Sequence, residues 1–274
     1  MTDRTATPRH FLMCEPTYFE VSYEINPWMD VTRETDSSRA VSQWKVLHQA
    51  YLDWGHTVEL IEPIPGLPDM VYAANGATVV DGIVYSAQFR YPQRAPEGPA
   101  YQKWFADQGY VTHTASQINE GEGDILLVGD TFLAGSGFRT DASAHAELAD
   151  LTGREVISLE LVDPRWYHLD TALAVLDSRP ESPLIAYYPP AFSAASQALL
   201  AERYPDAVMA TEADALALGL NAVSDGLHVV VAPAAVDLAA ALRDRGFEPL
   251  AVDTTELLKG GGGAKCCTLE IRGR

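Results

Sequence analysis

Apolar residues return at helical spacing five times along this chain, and after each return the pattern switches to an extended run. Val41, Trp44, Leu47, His48, Tyr51 and Leu52 share one side of the first predicted helix, which Gly55 stops before the extended HTVELIEP. The order recurs in YQKWFADQG, ending at Gly109 before YVTHTA, and in SAHAELADLTG, ending at Gly153 before REVISLEL. SAASQALLAERYP precedes DAVMATE, and VDLAAALRDRG ends at Gly246 before FEPLAVD. Glycine ends four of the five because it takes the left-handed conformation that helix C-termini favour.

Two β-rich runs stand ahead of each later helix: DMVYAAN with GIVYSAQF, GDILLVG with TFLAGS, TALAVLD with LIAYYP, and LNAVS with LHVVVAP. The repeating unit is therefore hairpin, helix, strand. Helix ends at Gly55, Gly109, Gly153, Tyr204 and Gly246 lie 54, 44, 51 and 42 residues apart, the spacing of an internal repeat. One unit has too little apolar surface to stand alone, so five are expected to pack together, and closing them into a ring removes exposed sheet edges. The final CCTLEIR is expected to supply the strand that completes the first unit, and no linker interrupts the period. The pattern predicts an α/β fold in one domain, residues 1–274.

Composition narrows the partners. The chain has 38 acidic and 19 basic residues, a net charge of −19 and a pI near 4.6, which disfavours nucleic acid and anionic membranes and attracts a cationic small molecule. MTDRTATPRHFLMCEPTYFE has no basic start followed by an apolar core, and no apolar run reaches the ~20 residues of a membrane span, so a cytoplasmic protein is expected. Three cysteines build no disulfide framework, and a bond between the neighbours Cys266 and Cys267 would be strained, so free thiols are expected.

If the five units are equivalent, polar residues beside their first strands face one point. Asn26, Asn75, Glu120 with Asp124, His168 with Asp170, Asn221 and Cys266 occupy those places. Together they form a nucleophile, acid–base and cation-binding set. Each has a plainer reading: Asp124 and Asp170 open apolar strands and equally serve as backbone caps. His168 lies in a buried-looking strand and needs partners there. Glu122, between glycines in EGEGD, reads as part of a solvated acidic turn, and Cys14 as a packing residue. No C-x-x-C pair or three-ligand spacing is present, so no metal or other cofactor is expected. KGGGGAKCC lacks the order of a phosphate loop, and its glycines allow close backbone approach or motion at a pocket rim.

Seven segments together, LMCEPTYFEVSYEINPWMD, DMVYAANGATVV, NEGEGDILLVGD, GSGFRTD, WYHLDTALAVLD, YYPPAF and GGAKCCTLEI, resemble the guanidino-group-modifying enzymes of the pentein superfamily. The resemblance runs from about Phe11 to Ile271. It implies a five-fold pseudo-symmetric α/β propeller of five hairpin-helix-strand units. It implies Cys266 as nucleophile from Cys266-Cys267-Thr268, and His168 and Asp170 from H-L-D. Arginine dihydrolases resemble E-G-x-G-D, which matches Glu120 to Asp124 and selects Glu120 over Glu122 as the carboxylate partner of the histidine. Asn75 stands where deiminases and dimethylargininases carry an acid, again like the dihydrolases, and Asn26, Arg90 and Arg139 look like that branch's substrate residues. The two arginines suit a substrate α-carboxylate.

The implied substrate is a small guanidino cation, and oligomeric state, a homo-oligomer included, is left open. The implied reaction is cysteine-dependent hydrolysis at the guanidino carbon through a thiouronium-type intermediate. Arginine dihydrolase is favoured, then dimethylarginine dimethylaminohydrolase, then amidinotransferase; a silent arginine-binding protein is the reading outside enzymes. A bound cation, Lys265 or protonated His168 would favour the thiolate.

Overall fold

The computed structural model describes residues 4–273; residues 1–3 and 274 of the expected domain lie outside them. Among the described residues the strands form five three-stranded sheets of one plan. In each, a central strand pairs antiparallel with its hairpin partner and parallel with the strand that follows the helix. Thr131–Ser136, for example, pairs antiparallel with Ile125–Val128 and, across the helix Ala142–Thr152, parallel with Val156–Glu160. The first sheet takes its hairpin partner from the chain's far end: Phe11 lies opposite Glu270 and Leu12 opposite Leu269.

The expected helices form at Ser37–Asp53, Glu97–Asp107, Ala142–Thr152, Ala194–Arg203 and Val236–Asp244. Gly55, Gly109, Gly153 and Gly246 follow with φ of 77°, 83°, 68° and 81°, the left-handed region reserved for glycine. The core sits at the joints between consecutive sheets. Leu12 and Leu269 pack with Val79 and Val84, Val80 and Tyr85 with Ile125 and Phe132, and Leu126 and Leu133 with Leu173 and Ile185. Val229 of the last sheet joins the cluster around Leu176, and Val223 and Val230 pack against Phe11 and Met13 of the first. No helix among the described residues is long and apolar enough to cross a membrane.

The strands begin later than the apolar pattern suggests. DMVYAAN forms two 3-10 turns, Pro68–Val71 and Ala73–Gly76, because Pro68 opens a turn closed by Tyr72 N–H on Asp69 O at 2.9 Å. His168 precedes a single helical turn, Leu169–Ala172, rather than lying in a strand. Only Leu269–Glu270 of CCTLEIR is strand; Cys266 and Cys267 lie in a turn held by Cys267 N–H on Gly263 O and Thr268 N–H on Lys265 O. Both cysteines are buried in this turn.

The glycine run is closely packed. A side chain at Gly260 or Gly262 would run into Tyr72, and one at Gly262 would also come within 2.9 Å of Cys266 Cβ. Gly262→Ala is expected to cost about 1–3 kcal/mol of stability by overpacking. Urea denaturation checks this, and an unchanged midpoint would remove the close-packing explanation.

Candidate active site

Turns immediately ahead of the first strands carry Asn75, Glu120 with Asp124, His168 with Asp170, Asn221 and Cys266. Cys266 fills this place in the first unit, so Asn26 is not its equivalent there. Asn26 lies instead between the central strand His10–Cys14 and the helix Ser37–Asp53, as Arg90 and Arg139 do in their own units. The polar residues thus fall into two tiers, one ahead of the first strand and one after the central strand.

Glycine makes the EGEGD turn possible. A Cβ at Gly121, where φ is +53°, would press on the Ala74 and Ala77 backbone, and one at Gly123 would meet Asn75 Nδ2 and come within 3.2 Å of His168 Nδ1. Fully buried Glu120 receives Arg139 Nη1 at 2.8 Å and His168 Nε2 at 2.8 Å. Burial opposes its ionisation, but Arg139, His168 and Arg94 outweigh burial and hold the carboxyl well below the usual range. An ionised Glu120 accepts only, so His168 donates from Nε2, and in the neutral ring Nδ1 is then the acceptor. No hydrogen-bond partner reaches that Nδ1.

Cys266 is held from two sides. Its Sγ–H donates to Asp170 Oδ2 at 3.2 Å and its N–H to Asn221 Oδ1 at 3.1 Å, while Asn221 Nδ2 donates to the sulfur at 3.1 Å. Burial, and next the Asp170 charge, push the thiol well above its ordinary value. Burial likewise raises the Asp170 carboxyl to about 6 against the pull of His168 and Lys265. Asp124 accepts from Leu169 N at 3.0 Å and Thr140 N at 3.2 Å, the backbone-capping geometry, and burial raises its carboxyl.

Asn75 takes an orientation the sequence did not specify. Its Oδ1 accepts from Arg94 Nη1 at 2.7 Å, and because arginine only donates, Asn75 is left with Nδ2 as its free group. It therefore offers a donor rather than the acceptor that a guanidinium N–H requires. Asn26 holds the glycine run through Gly260 O at 3.0 Å and accepts from Trp28 N at 2.9 Å. Arg139, expected at a substrate carboxylate, instead spans Glu120 and Ile25 O between the rings of Tyr91 and Tyr167. Half-exposed Arg90 donates to Arg139 O at 2.9 Å and pairs with Asp141.

Glu122 is fully buried, not solvated: Lys265 and Arg272 bind its carboxylate, supplying the charge that burial requires. Sequence reasoning missed buried Arg94 and Asp69; the one local signal was the spacing of Arg94 and Glu97, which form a buried ion pair at 2.7 Å. Asp69 accepts from Tyr23 OH at 2.8 Å through Oδ2 and lies 3.8 Å from Arg94. Asp69 Oδ1, Asn75 Nδ2, His168 Nδ1 and Asp170 Oδ1 are buried without hydrogen-bond partners. Arg9 Nε, Trp44 Nε1, Thr78 Oγ1 and Ser86 Oγ are also unpaired, but the first four belong to the polar turns and their neighbours, and two carboxylate oxygens among them suit a cation rich in N–H donors.

No protein-family model matches the chain. It is 58% identical over 268 residues to an N(G),N(G)-dimethylarginine dimethylaminohydrolase of Mycobacterium tuberculosis, covering 98% of this chain and 87% of that protein. It is 36% identical to the bifunctional arginine dihydrolase/ornithine cyclodeaminase ArgZ of Synechocystis, across 95% of this chain but 37% of ArgZ. The crystal structure of the substrate-bound N-terminal domain of ArgZ, an arginine dihydrolase from cyanobacteria, matches with a TM-score of 0.91 at 35% identity, covering 97% of this chain and 98% of that one. A dimethylarginine dimethylaminohydrolase adduct, 18% identical with a TM-score of 0.77 over 97% of this chain and 100% of that one, agrees in fold. Sharing more than half of its residues with the mycobacterial enzyme over most of both lengths, the chain belongs to the guanidino-group-modifying, or pentein, superfamily and is a hydrolase of guanidino C–N bonds.

Proposed function

We propose that the protein is a dimethylarginine dimethylaminohydrolase, converting dimethylarginine to citrulline and dimethylamine through a covalent adduct on Cys266. The observation that carries the choice of substrate is the 58% identity to the mycobacterial dimethylarginine dimethylaminohydrolase. This reverses the order reached from the sequence, where Asn75 and E-G-x-G-D put the dihydrolase first. The five sheets are read as blades of one five-fold pseudo-symmetric propeller in a single domain, with the polar turns around its axis.

The reacting carbon is resonance-stabilised, so the cation must be held, attacked by a strong nucleophile, and relieved of a protonated amine. In this reading Asp170 Oδ1 and Asp69 Oδ1 accept from the guanidinium N–H groups. The bound cation offsets the burial and the Asp170 charge that hold Cys266 as a thiol. The thiol proton passes to His168 Nδ1, and ionised Glu120 stabilises the imidazolium. Sulfur attacks the guanidino carbon, and Nδ1–H protonates dimethylamine as its C–N bond breaks. Nδ1 then takes a proton from water as the water oxygen bonds to the same carbon; the C–S bond breaks with its electron pair on sulfur, Nδ1–H returns its proton to that sulfur, and citrulline leaves as its hydroxyl proton passes to solvent. Asn221 keeps the sulfur aimed throughout, and Asn26 braces the glycine run above it.

Arginine dihydrolase is the second reading, and Asn75 favours it. A donor suits the oxygen of a ureido group, which a dihydrolase must hold for a second hydrolysis and a dimethylargininase releases. Incubation of the pure protein with dimethylarginine, and separately with arginine, decides between them. Equimolar dimethylamine and citrulline are expected; ornithine and ammonia from arginine without dimethylamine would select the dihydrolase, and no product from either would reject both.

Acid pH should act through Asp170. With its carboxyl raised to about 6, protonation removes the charge that attracts the cation, so kcat/KM is expected to fall as pH drops through about 6. A pH profile of kcat/KM, flat to the ordinary carboxylate range near 4, would remove Asp170 from this role.

A further inference from the structure

A chain of ion pairs crosses beneath the nucleophile, outside the groups assigned to chemistry above. Arg9 Nη1 reaches Glu270 at 3.2 Å, Glu270 accepts from Arg272 at 2.8 Å, Arg272 pairs with Glu122, and Glu122 accepts from Lys265 Nζ at 2.7 Å. Lys265 precedes Cys266 in sequence, and its Nζ also donates to Thr268 O at 2.9 Å, spanning the turn that carries the sulfur. Glu122 lies between Glu120 and Asp124 and also accepts from Glu270 N at 3.0 Å. The chain therefore ties the acid–base turn to the nucleophile turn. Arg9, Arg272 and Lys265 outnumber Glu122 and Glu270 by one cation, within a protein of net charge −19.

We propose that Lys265 is a positioning residue of the active centre: clamped by Glu122, it fixes the Cys266 turn and supplies a positive charge that favours the Asp170 carboxylate and the sulfur as it attacks. The charged and titratable groups facing Asp170 are His168, Lys265, Cys266, Asp124, Tyr167 and Cys267; those facing Glu122 are Lys265, Arg272 and Glu270. Lys265 has no rotational freedom to leave this place without breaking both its contact to Glu122 and its contact to Thr268 O. The inference rests on the proposed reading of Cys266 as nucleophile.

Removing one charge of the pair should shift the centre one way and removing the other should shift it the opposite way. Lys265→Met and Glu122→Gln are compared for the acid limb of kcat/KM, on dimethylarginine or arginine, whichever the wild type turns over. They are also compared for the rate of Cys266 alkylation by iodoacetamide at fixed pH, located by peptide mass mapping. Lys265→Met is expected to move the acid limb upward and slow alkylation, and Glu122→Gln to move the limb downward and accelerate alkylation, each by about three- to tenfold at a fixed pH. Shifts of both variants in the same direction, the signature of a structural tie alone, overturn the inference. Should Glu122→Gln not fold, Lys265→Arg decides: a limb and alkylation rate like the wild type's support the charge, and values like those of Lys265→Met overturn it. Alkylation needs no turnover, so opposite shifts with an inactive wild type would support Lys265 while rejecting the proposed substrate.

Discussion

Cys266→Ser is expected to abolish turnover while leaving substrate binding within about tenfold of the wild type. The loss should be on the order of 10⁴- to 10⁶-fold in kcat, the scale on which removal of a covalent nucleophile falls. Serine preserves the size of the side chain and the contacts to Asn221 and Asp170, so the turn stays in place. A hydroxyl is a far weaker acid than a thiol, and no step assigned above generates an alkoxide. Binding by calorimetry and turnover by amine release, measured on the same preparation, check this. A variant that still turns over at a tenth of the wild-type rate would dismiss the covalent route. A wild type that binds and never turns over would place the protein among silent arginine binders, and one that needs an acceptor amine would place it among the amidinotransferases.

Glu120→Gln should be damaging to a smaller but still large degree, for two separable reasons. The neutral amide no longer stabilises an imidazolium at His168, and loss of such acid–base function costs about 10²- to 10⁴-fold in kcat. It also strips buried Arg139 of its counter-charge, and breaking one side of a buried ion pair costs about 3–5 kcal/mol. The pH dependence carries the sign. Because the folded protein depresses the Glu120 carboxyl, its stabilisation is full above the ordinary carboxylate value near 4 and is lost as pH falls below that. Wild-type protein should therefore lose stability toward acid more steeply than Glu120→Gln, as read from urea midpoints at stepped pH. Parallel curves would mean that Glu120 carries no charge in the fold.

The repeat was legible because its punctuation is chemical. Four helices end where only glycine holds a positive φ readily, and an extended run follows each. The turns ahead of the first strands were hidden for the opposite reason: Ala73, Ala74 and Leu169 are apolar and read as strand, although they form turns that bring Asn75 and Asp170 into place. Glu122 and Asn26 show the limit of reading by local pattern. An acidic residue between glycines looks solvated until Lys265 and Arg272, distant in sequence, arrive to neutralise it. Asn26 was set beside the first strands, a place that Cys266 already fills in the first unit, and it lies instead after the central strand, as Arg90 and Arg139 do.

Cys266, His168 and Glu120 were found by aligning the units and by resemblance, and the structure brings His168 onto Glu120 and Cys266 onto Asp170 and Asn221. Arg94 pairs locally with Glu97, three residues on, but its contacts to Asn75 and Asp69 lie in another turn and were not legible. The orientation of Asn75 was the least legible, because Arg94 takes its Oδ1 and leaves Nδ2 free.

Covalent capture at the last turn puts the whole reading to the test. Protein mixed with dimethylarginine, quenched in acid during turnover and digested should yield one modified peptide, its added mass equal to the substrate cation less dimethylamine. Fragmentation should place the addition on Cys266, and Cys267→Ala should leave both the adduct and the rate unchanged. An adduct on Cys267 or Cys14, or turnover without any adduct in a burst sampled faster than kcat, would contradict it.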